Sequence, residues 1–153
     1  MLSSEYVTDI IAHKQTVAEF LRIANNELFE RAIYHDDSKF SPEEIEVYEE
    51  VTPILKELEY GGPDYKDAIK LLGQHHYENN RHHPEHFSNG LAGMNLIDVL
   101  EMVCDWVAAA QRQKGGNIFV SLPVNKARFG VGDQLNDLIK NTVNFLLQRE
   151  WDE

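Results

Sequence analysis

Seven histidines stand between His13 and His86, and five of them fall within the twelve residues from His75 to His86. Imidazole is a general acid or base near neutral pH and a common ligand for divalent metals. Carboxylates able to complete such a site are also present. His35-Asp36 places a nitrogen donor and an oxygen donor side by side. Adjacent side chains on a helix point about 100° apart, so both reach one ion only beyond the last turn or along the bisecting direction. Asp98, Glu101 and Asp105 follow one another at i, i+3 and i+7 on a segment that is otherwise apolar nearly all round. A buried ionised carboxylate is costly unless it is paired, hydrogen-bonded or bound to a metal. Their stripe is therefore either a partly solvated face paired with Arg and Lys, or a set of ligands. The surplus of imidazoles favours ligands. His13 and His35 with Asp36 and Asp105 supply nitrogen and oxygen donors together, a mixed set suited to iron, manganese, cobalt or nickel, with zinc or magnesium also accommodated.

Helices must position these groups. Tyr6, Ile10, Val17, Phe20, Leu21, Ala24 and Leu28 recur at helical spacing, predicting a helix from Ser4 to about Leu28 with one buried face, on which His13 lies. A second short helix is expected from about Asn26 to Tyr34, ending at His35-Asp36. Ser41-Pro42-Glu43-Glu44 reads as a capped helix start, with an interruption expected near Pro53. Gly61-Gly62-Pro63 breaks the chain and starts a further helix to about Asn79. Tyr65, Ile69, Leu72 and His76 share its apolar stripe, so His76 points inward and His75 is offset from it. Arg81 to Asn89 is expected to be a loop in which Pro84 biases His83 to an extended backbone. Asn95 can cap a helix to about Gln113, closed by Gly115-Gly116. Ile118 to Phe129 reads as irregular or one short turn, and Asp133 begins a last helix. With no period-two alternation, repeat or linker, the expectation is a single all-α domain of about six helices over residues 1–153.

The composition bounds what such a domain does. A chain of 153 residues, 42% hydrophobic, has enough material for one core; at this size roughly 68–70% of the unfolded surface is buried, so a metal is expected to be functional rather than a staple. The 14 Lys and Arg against 26 Asp and Glu give −12, which argues against long nucleic acids and anionic membranes as partners. Cys104, the single cysteine, excludes an internal disulfide and thiolate-only metal sites and fits a reducing compartment. No apolar run approaches the roughly 18 residues of a membrane span, and no basic region followed by an apolar stretch opens the chain, so a cytoplasmic location is expected.

The ordered set His13, His35-Asp36 and Asp105 resembles the HD-domain metal-dependent phosphohydrolases, an all-α family. Its ligands are a histidine on an early helix, a His-Asp pair at the end of the next, and an aspartate on a later central helix. His35-Asp36-Asp37-Ser38-Lys39 is similar to the family's His-Asp-x-x-Lys, and Ala108 and Ala109 follow Asp105 as small residues do there. His75, His76, His82 and His83 occupy the interval where two-metal members carry further histidines. The chain also looks like an uncharacterised family of small phage and bacterial proteins sharing His-His-Tyr, His-His-Pro-Glu-His-Phe and a later Asn-Leu-Ile-Asp-Val-Leu-Glu-Met-x-Cys-Asp-Trp segment.

The resemblance implies one or two divalent ions and water activated to attack a phosphate ester of a small nucleotide or another phosphorylated metabolite. On this reading the metal is held by His13, His35, Asp36, His76, His83 and Asp105. Lys39 neutralises the phosphoryl group, and Asp37 or Glu101 takes the water's proton. Arg81, His82 and His75 contact substrate. His86 is structural or orienting, and Glu85, Glu101 and Asp98 can orient bound imidazoles. Tyr77, Phe87, Tyr60 and Trp106 are candidates for stacking a base, unless they belong to the core. Two other readings use the same residues: a di-iron oxygenase on this scaffold, and a non-catalytic protein that sequesters a nucleotide. The last helix, with Trp151 near its end, either covers a second subunit in a homodimer or packs on its own core.

Overall fold

The computed structural model describes residues 4–57, 63–112 and 115–148. Tyr60, Gly61, Gly62 and Trp151 lie outside them, as do the side chains of Tyr65, Ile69 and Leu72. The described residues form six α-helices, with short 3-10 turns between the first and second and between the third and fourth, and no strand among them: an all-α fold. They fall into two units, residues 1–35 and 36–153.

The first unit is one helix, α1 (Ser4–Tyr34). The break expected near Asn26 is absent. Asn25-Asn26 contains neither glycine nor proline, and Arg31 Nε donates to Glu27 Oε1 at 2.8 Å, an i,i+4 pair in the stretch expected to form a separate helix. Glu5 in the first turn and Arg31 in the last both complement the helix dipole. This unit holds no second element to cover an apolar stripe, and none of its described side chains is buried, in contrast to the expected buried face carrying His13.

The second unit holds α2 (Pro42–Glu57), α3 (Pro63–Asn79), α4 (Leu96–Arg112), α5 (Ile118–Phe129) and α6 (Asp133–Leu147). α2 packs on α3, and α4 packs on both α5 and α6. The core joins Val103, Val107 and Ala110 of α4 to Ile118 and Leu122 of α5 and to Ile139 and Val143 of α6. Each large aliphatic side chain so buried contributes about 1.5–3 kcal/mol. α4 is central because apolar residues cover most of its circumference, and its start is fixed by side chains. Asn95 Oδ1 accepts from the Ile97 and Asp98 amides at 2.8 and 2.9 Å, and Asp98 Oδ2 accepts from the Asn95 amide at 2.8 Å, a reciprocal capping box.

Two expectations fail at prolines. α2 continues through Pro53, and Ile118 to Phe129 is a full helix that contains Pro123. Proline removes one ladder hydrogen bond. In α5 the ends compensate: Asn117 Oδ1 accepts from the Phe119 amide at 2.9 Å, and Gly130 closes the helix at φ 65°. Ile118 and Leu122 are buried one turn apart on its inner side. No described helix is long and apolar enough to cross a membrane.

Candidate metal centre

The centre begins at a backbone feature. Asp36 has φ 62° and ψ 14°, the only described non-glycine residue in the left-handed region. The conformation costs a side chain about 1–2 kcal/mol, less for Asp than for most. It redirects the chain into a 3-10 turn, Asp37–Phe40, whose Lys39 amide bonds the Asp36 carbonyl at 2.9 Å. The Asp36 carboxylate then meets three histidines from outside its own turn: His76 in the last turn of α3, and His82 and His83 just beyond that helix.

The four side chains Asp36, His76, His82 and His83 each offer a ligand atom, all within 4.8 Å of one another, and the cluster can hold a metal ion. Asp36 Oδ1 lies 3.3 Å from His76 Nε2 and 3.4 Å from His82 Nε2. His76 Nε2 and His83 Nε2 are 2.9 Å apart. His83 reaches this position from an extended backbone, φ −97° and ψ 126°, as the following Pro84 requires.

The outer nitrogens define the chemistry. His76 Nδ1 donates to Glu44 Oε2 at 3.1 Å, and His82 Nδ1 pairs with Glu101 Oε1 at 3.2 Å. Asn80 could compete for His76 Nδ1, but its amide donates to Ser38 Oγ at 2.7 Å and to the His76 carbonyl at 2.8 Å. With its two hydrogens so spent, and with the hydroxyl of Ser38, 3.2 Å from the same nitrogen, giving its hydrogen to Glu44, Nδ1 is left to donate to Glu44. A proton on Nδ1 places the lone pair on Nε2, so both imidazoles aim lone pairs at the Asp36 carboxylate and at each other. Between His76 and His83, nitrogens 2.9 Å apart require a proton or a cation between them. The donor set and its carboxylate backing therefore fit a divalent cation, in the arrangement by which carboxylates fix metal-binding imidazoles.

Electrostatics agree. Burial works to raise the Asp36 carboxyl, but His76 and His82, whose Nε2 atoms donate to it when a proton takes the place of a cation there, and Lys39 outweigh it and hold it well below the usual carboxylate range. Burial likewise opposes ionisation of Glu44, while Ser38, His75 and His76 bring its carboxyl down. His83 is pushed down to about 3, first by burial and then by His82 and His76, against the pull of Asp105 and Asp36. It is a neutral nitrogen donor at ordinary pH.

The other expected site residues take distinct places. Asp105 offers an oxygen within 4.8 Å of one on Asp36. Lys39 Nζ donates to Asp36 Oδ2 and lies 5.9 Å from the centre of the Tyr48 ring. Glu101 orients His82. His75, expected to contact substrate, gives Nδ1 to Glu44 Oε1 at 2.9 Å. Arg81, expected to hold a phosphate, spends Nε and Nη2 on the fully buried Asp98 at 3.1 and 3.0 Å and lies over the Phe87 ring. Asp37 is exposed. His86 Nδ1 donates to the Tyr77 carbonyl at 2.9 Å, a structural bond. Trp106 stacks in parallel on Phe129, ring centres 5.7 Å apart. His13 and His35 belong to the first unit, the former exposed and the latter half-buried.

Glu44, 2% exposed and bridging two histidines, is a member of the centre that no sequence pattern points to. Its position in the first turn of α2 is explained by the helix dipole alone, which hid it. A cavity of about 510 Å³ opens beside the cluster, lined by His83 and Asp105 and by residues of α4 and α5 that include Trp106, Asn125 and Arg128.

Residues 2–149 match the model described as a family of unknown function (DUF5662). No curated protein and no solved structure matches the chain.

Proposed function

The chain belongs to that family, which assigns no activity, and from its own site we propose that it is a metal-dependent hydrolase of phosphate esters, acting on a small nucleotide or another phosphorylated metabolite. The observation that carries this reading is the convergence of Asp36, His76, His82 and His83, with buried Glu44 and half-buried Glu101 behind two of the imidazoles. Nitrogen donors mixed with carboxylate oxygen suit manganese, iron, cobalt or nickel, with zinc or magnesium also accommodated. Asp105 supplies a further oxygen, and the resemblance to HD-domain proteins makes His35, the chain neighbour of Asp36, a ligand and allows one or two ions.

A divalent cation in such a site lowers the pKa of water and screens charge on phosphoryl oxygens. In the hydrolysis, the water oxygen bonds to phosphorus, the ester P–O bond breaks and the leaving oxygen takes up a proton. Glu44 and Glu101 keep the imidazole lone pairs turned inward. Lys39, beside Asp36, is placed to neutralise a phosphoryl oxygen. Asp37 or Glu101 takes the water's proton on this reading.

The test is metal analysis of protein purified without chelator, followed by a phosphate-release screen over nucleotides and simple esters with manganese, cobalt, nickel and magnesium. His35→Ala, Asp36→Ala and His82→Ala should lose the metal with helix content retained, and Lys39→Ala should keep the metal and lose turnover. Normal metal content in all three ligand variants overturns the site. An iron-loaded protein that consumes oxygen and cleaves no ester points instead to oxygenase chemistry, and tight nucleotide binding without turnover to sequestration.

A further inference from the structure

The cavity beside the cluster has a charge pattern that the hydrolase reading leaves unused. Its volume of about 510 Å³ falls within the range of small-molecule sites, about 300–1,000 Å³. Of its lining residues, Asp105 and Arg128 are the acidic and basic side chains, and Asp105 belongs with the metal cluster. The rest of the wall is aromatic, small or neutral polar. A chain of net charge −12 has thus lined this space with a cation and with no carboxylate outside the cluster.

Arg128 is also held in place. Its Nη2 donates to Glu85 Oε1 at 2.7 Å, and its guanidinium lies 4.6 Å from the centre of the Phe129 ring, which stacks on Trp106. Glu85 takes one nitrogen through one oxygen and does not line the cavity. The side chain remains half exposed. A guanidinium fixed by a ring on its face, a carboxylate at one nitrogen and a hydrogen bond to Tyr77, which also lines the cavity, still has further N–H groups among its five and is preorganised to offer them to an anion.

Resting on the hydrolase reading, the geometry points to this cavity as the pocket for the ester's leaving group, with Arg128 as the specificity-determining residue that selects leaving groups bearing an anionic substituent. The reacting phosphoryl lies at the metal cluster, and a second negative group, a carboxylate or a phosphate, lies at Arg128. Substrates with charge at both ends are favoured over those with charge only at phosphorus.

Phenyl phosphate, 4-carboxyphenyl phosphate and 1,4-phenylene bisphosphate separate the terms, the last two distinguishing a carboxylate from a phosphate. With manganese-loaded protein, at least one of the two doubly charged esters should exceed phenyl phosphate in kcat/KM by about tenfold or more, mainly through KM. Arg128→Gln should bring that ratio to within twofold of one, and Arg128→Lys, which keeps the charge but not the fork, should leave an intermediate ratio. Binding of phenylphosphonate and 4-carboxyphenylphosphonate, followed by calorimetry, reads the same preference without turnover. Phosphonates that discriminate through Arg128 while no ester is cleaved would overturn the hydrolase and leave this pocket standing. Esters cleaved with no preference, a preference that survives Arg128→Gln, or phosphonates bound alike would overturn the pocket.

Discussion

At the scale of single residues, the proton on each imidazole decides what the cluster can hold. His76 and His82 are turned inward because carboxylates take their outer nitrogens, Glu44 at 3.1 Å and Glu101 at 3.2 Å. Glu101→Gln keeps the shape of that group but can offer its amide nitrogen to His82, which favours the wrong tautomer. Metal affinity should drop about 10–100-fold, the usual size of such outer effects, as measured by competition with a chelator of known strength. Glu44→Gln should act in the same direction through His76. Unchanged affinity in both variants would mean that the carboxylates do not set the tautomers. His83 gives a separate expectation for the metal-free protein. It is pushed down to about 3 in the fold, whereas an exposed imidazole titrates near about 6.5. The unfolded chain therefore binds the extra proton between these values. The contribution of His83 to stability is complete above about pH 6.5 and is lost as pH falls toward its folded value, with a slope of up to about 1.4 kcal/mol per pH unit. Asp36, held below the carboxylate range, keeps its contribution until the pH falls below about 4. Urea unfolding of metal-free protein should thus weaken from about pH 6 downward, and His83→Gln should flatten the upper part of that slope. Equal slopes in the two proteins would show that His83 is not buried as a neutral base.

At the scale of elements, the ends of α5 show where a local rule is testable and why part of the fold escaped a sequence reading. Gly130 closes α5 at φ 65°, and an added Cβ there meets nothing within 4 Å. Gly130→Ala should therefore cost about 1–2 kcal/mol through backbone conformation alone. Gly132, the N-cap of α6 at φ −64° and also open to a Cβ, carries no such strain; alanine there trades a weaker cap against a less flexible unfolded chain, so Gly132→Ala should change stability by only about 0.5 kcal/mol or less. Thermal or urea unfolding of the pair checks the difference, and equal effects would contradict the assigned cap. α4 and α6 were legible because their apolar residues recur at helical spacing and their starts carry Asn95 and Asp133. α5 was not, because Pro123 sits mid-segment and Ile118, Phe119, Val120, Leu122 and Val124 follow too closely to define one face. Packing of Ile118 and Leu122 against α4 supplies what propensity lacks. The candidate site divides likewise. His76, His83, Asp36 and Asp105 could be read from chain order and spacing, but the inward turn of His82 and the bridging role of Glu44 depend on how α2, α3 and α4 pack, which no local pattern encodes.

At the scale of the whole molecule, long-range charge and local chemistry oppose each other. The net charge of −12 gives an anionic substrate a repulsive approach over most of the surface, while Arg128, Lys39 and a bound cation attract it at close range. The two terms respond differently to salt. Repulsion acts over distances comparable to the Debye length, about 10 Å at 0.1 M, and is screened as ionic strength rises. Contacts inside a partly closed cavity are screened much less. Raising ionic strength from low to physiological values should therefore increase kcat/KM for a phosphate ester by a few-fold and leave kcat nearly unchanged, because the screened term governs encounter rather than the bound state. Assays across a sodium chloride series at constant pH and saturating metal would show it. A fall in kcat/KM over the same range would mean that the positive field at the cavity reaches into solvent and outweighs the acidic exterior, so that substrate is drawn in rather than merely admitted.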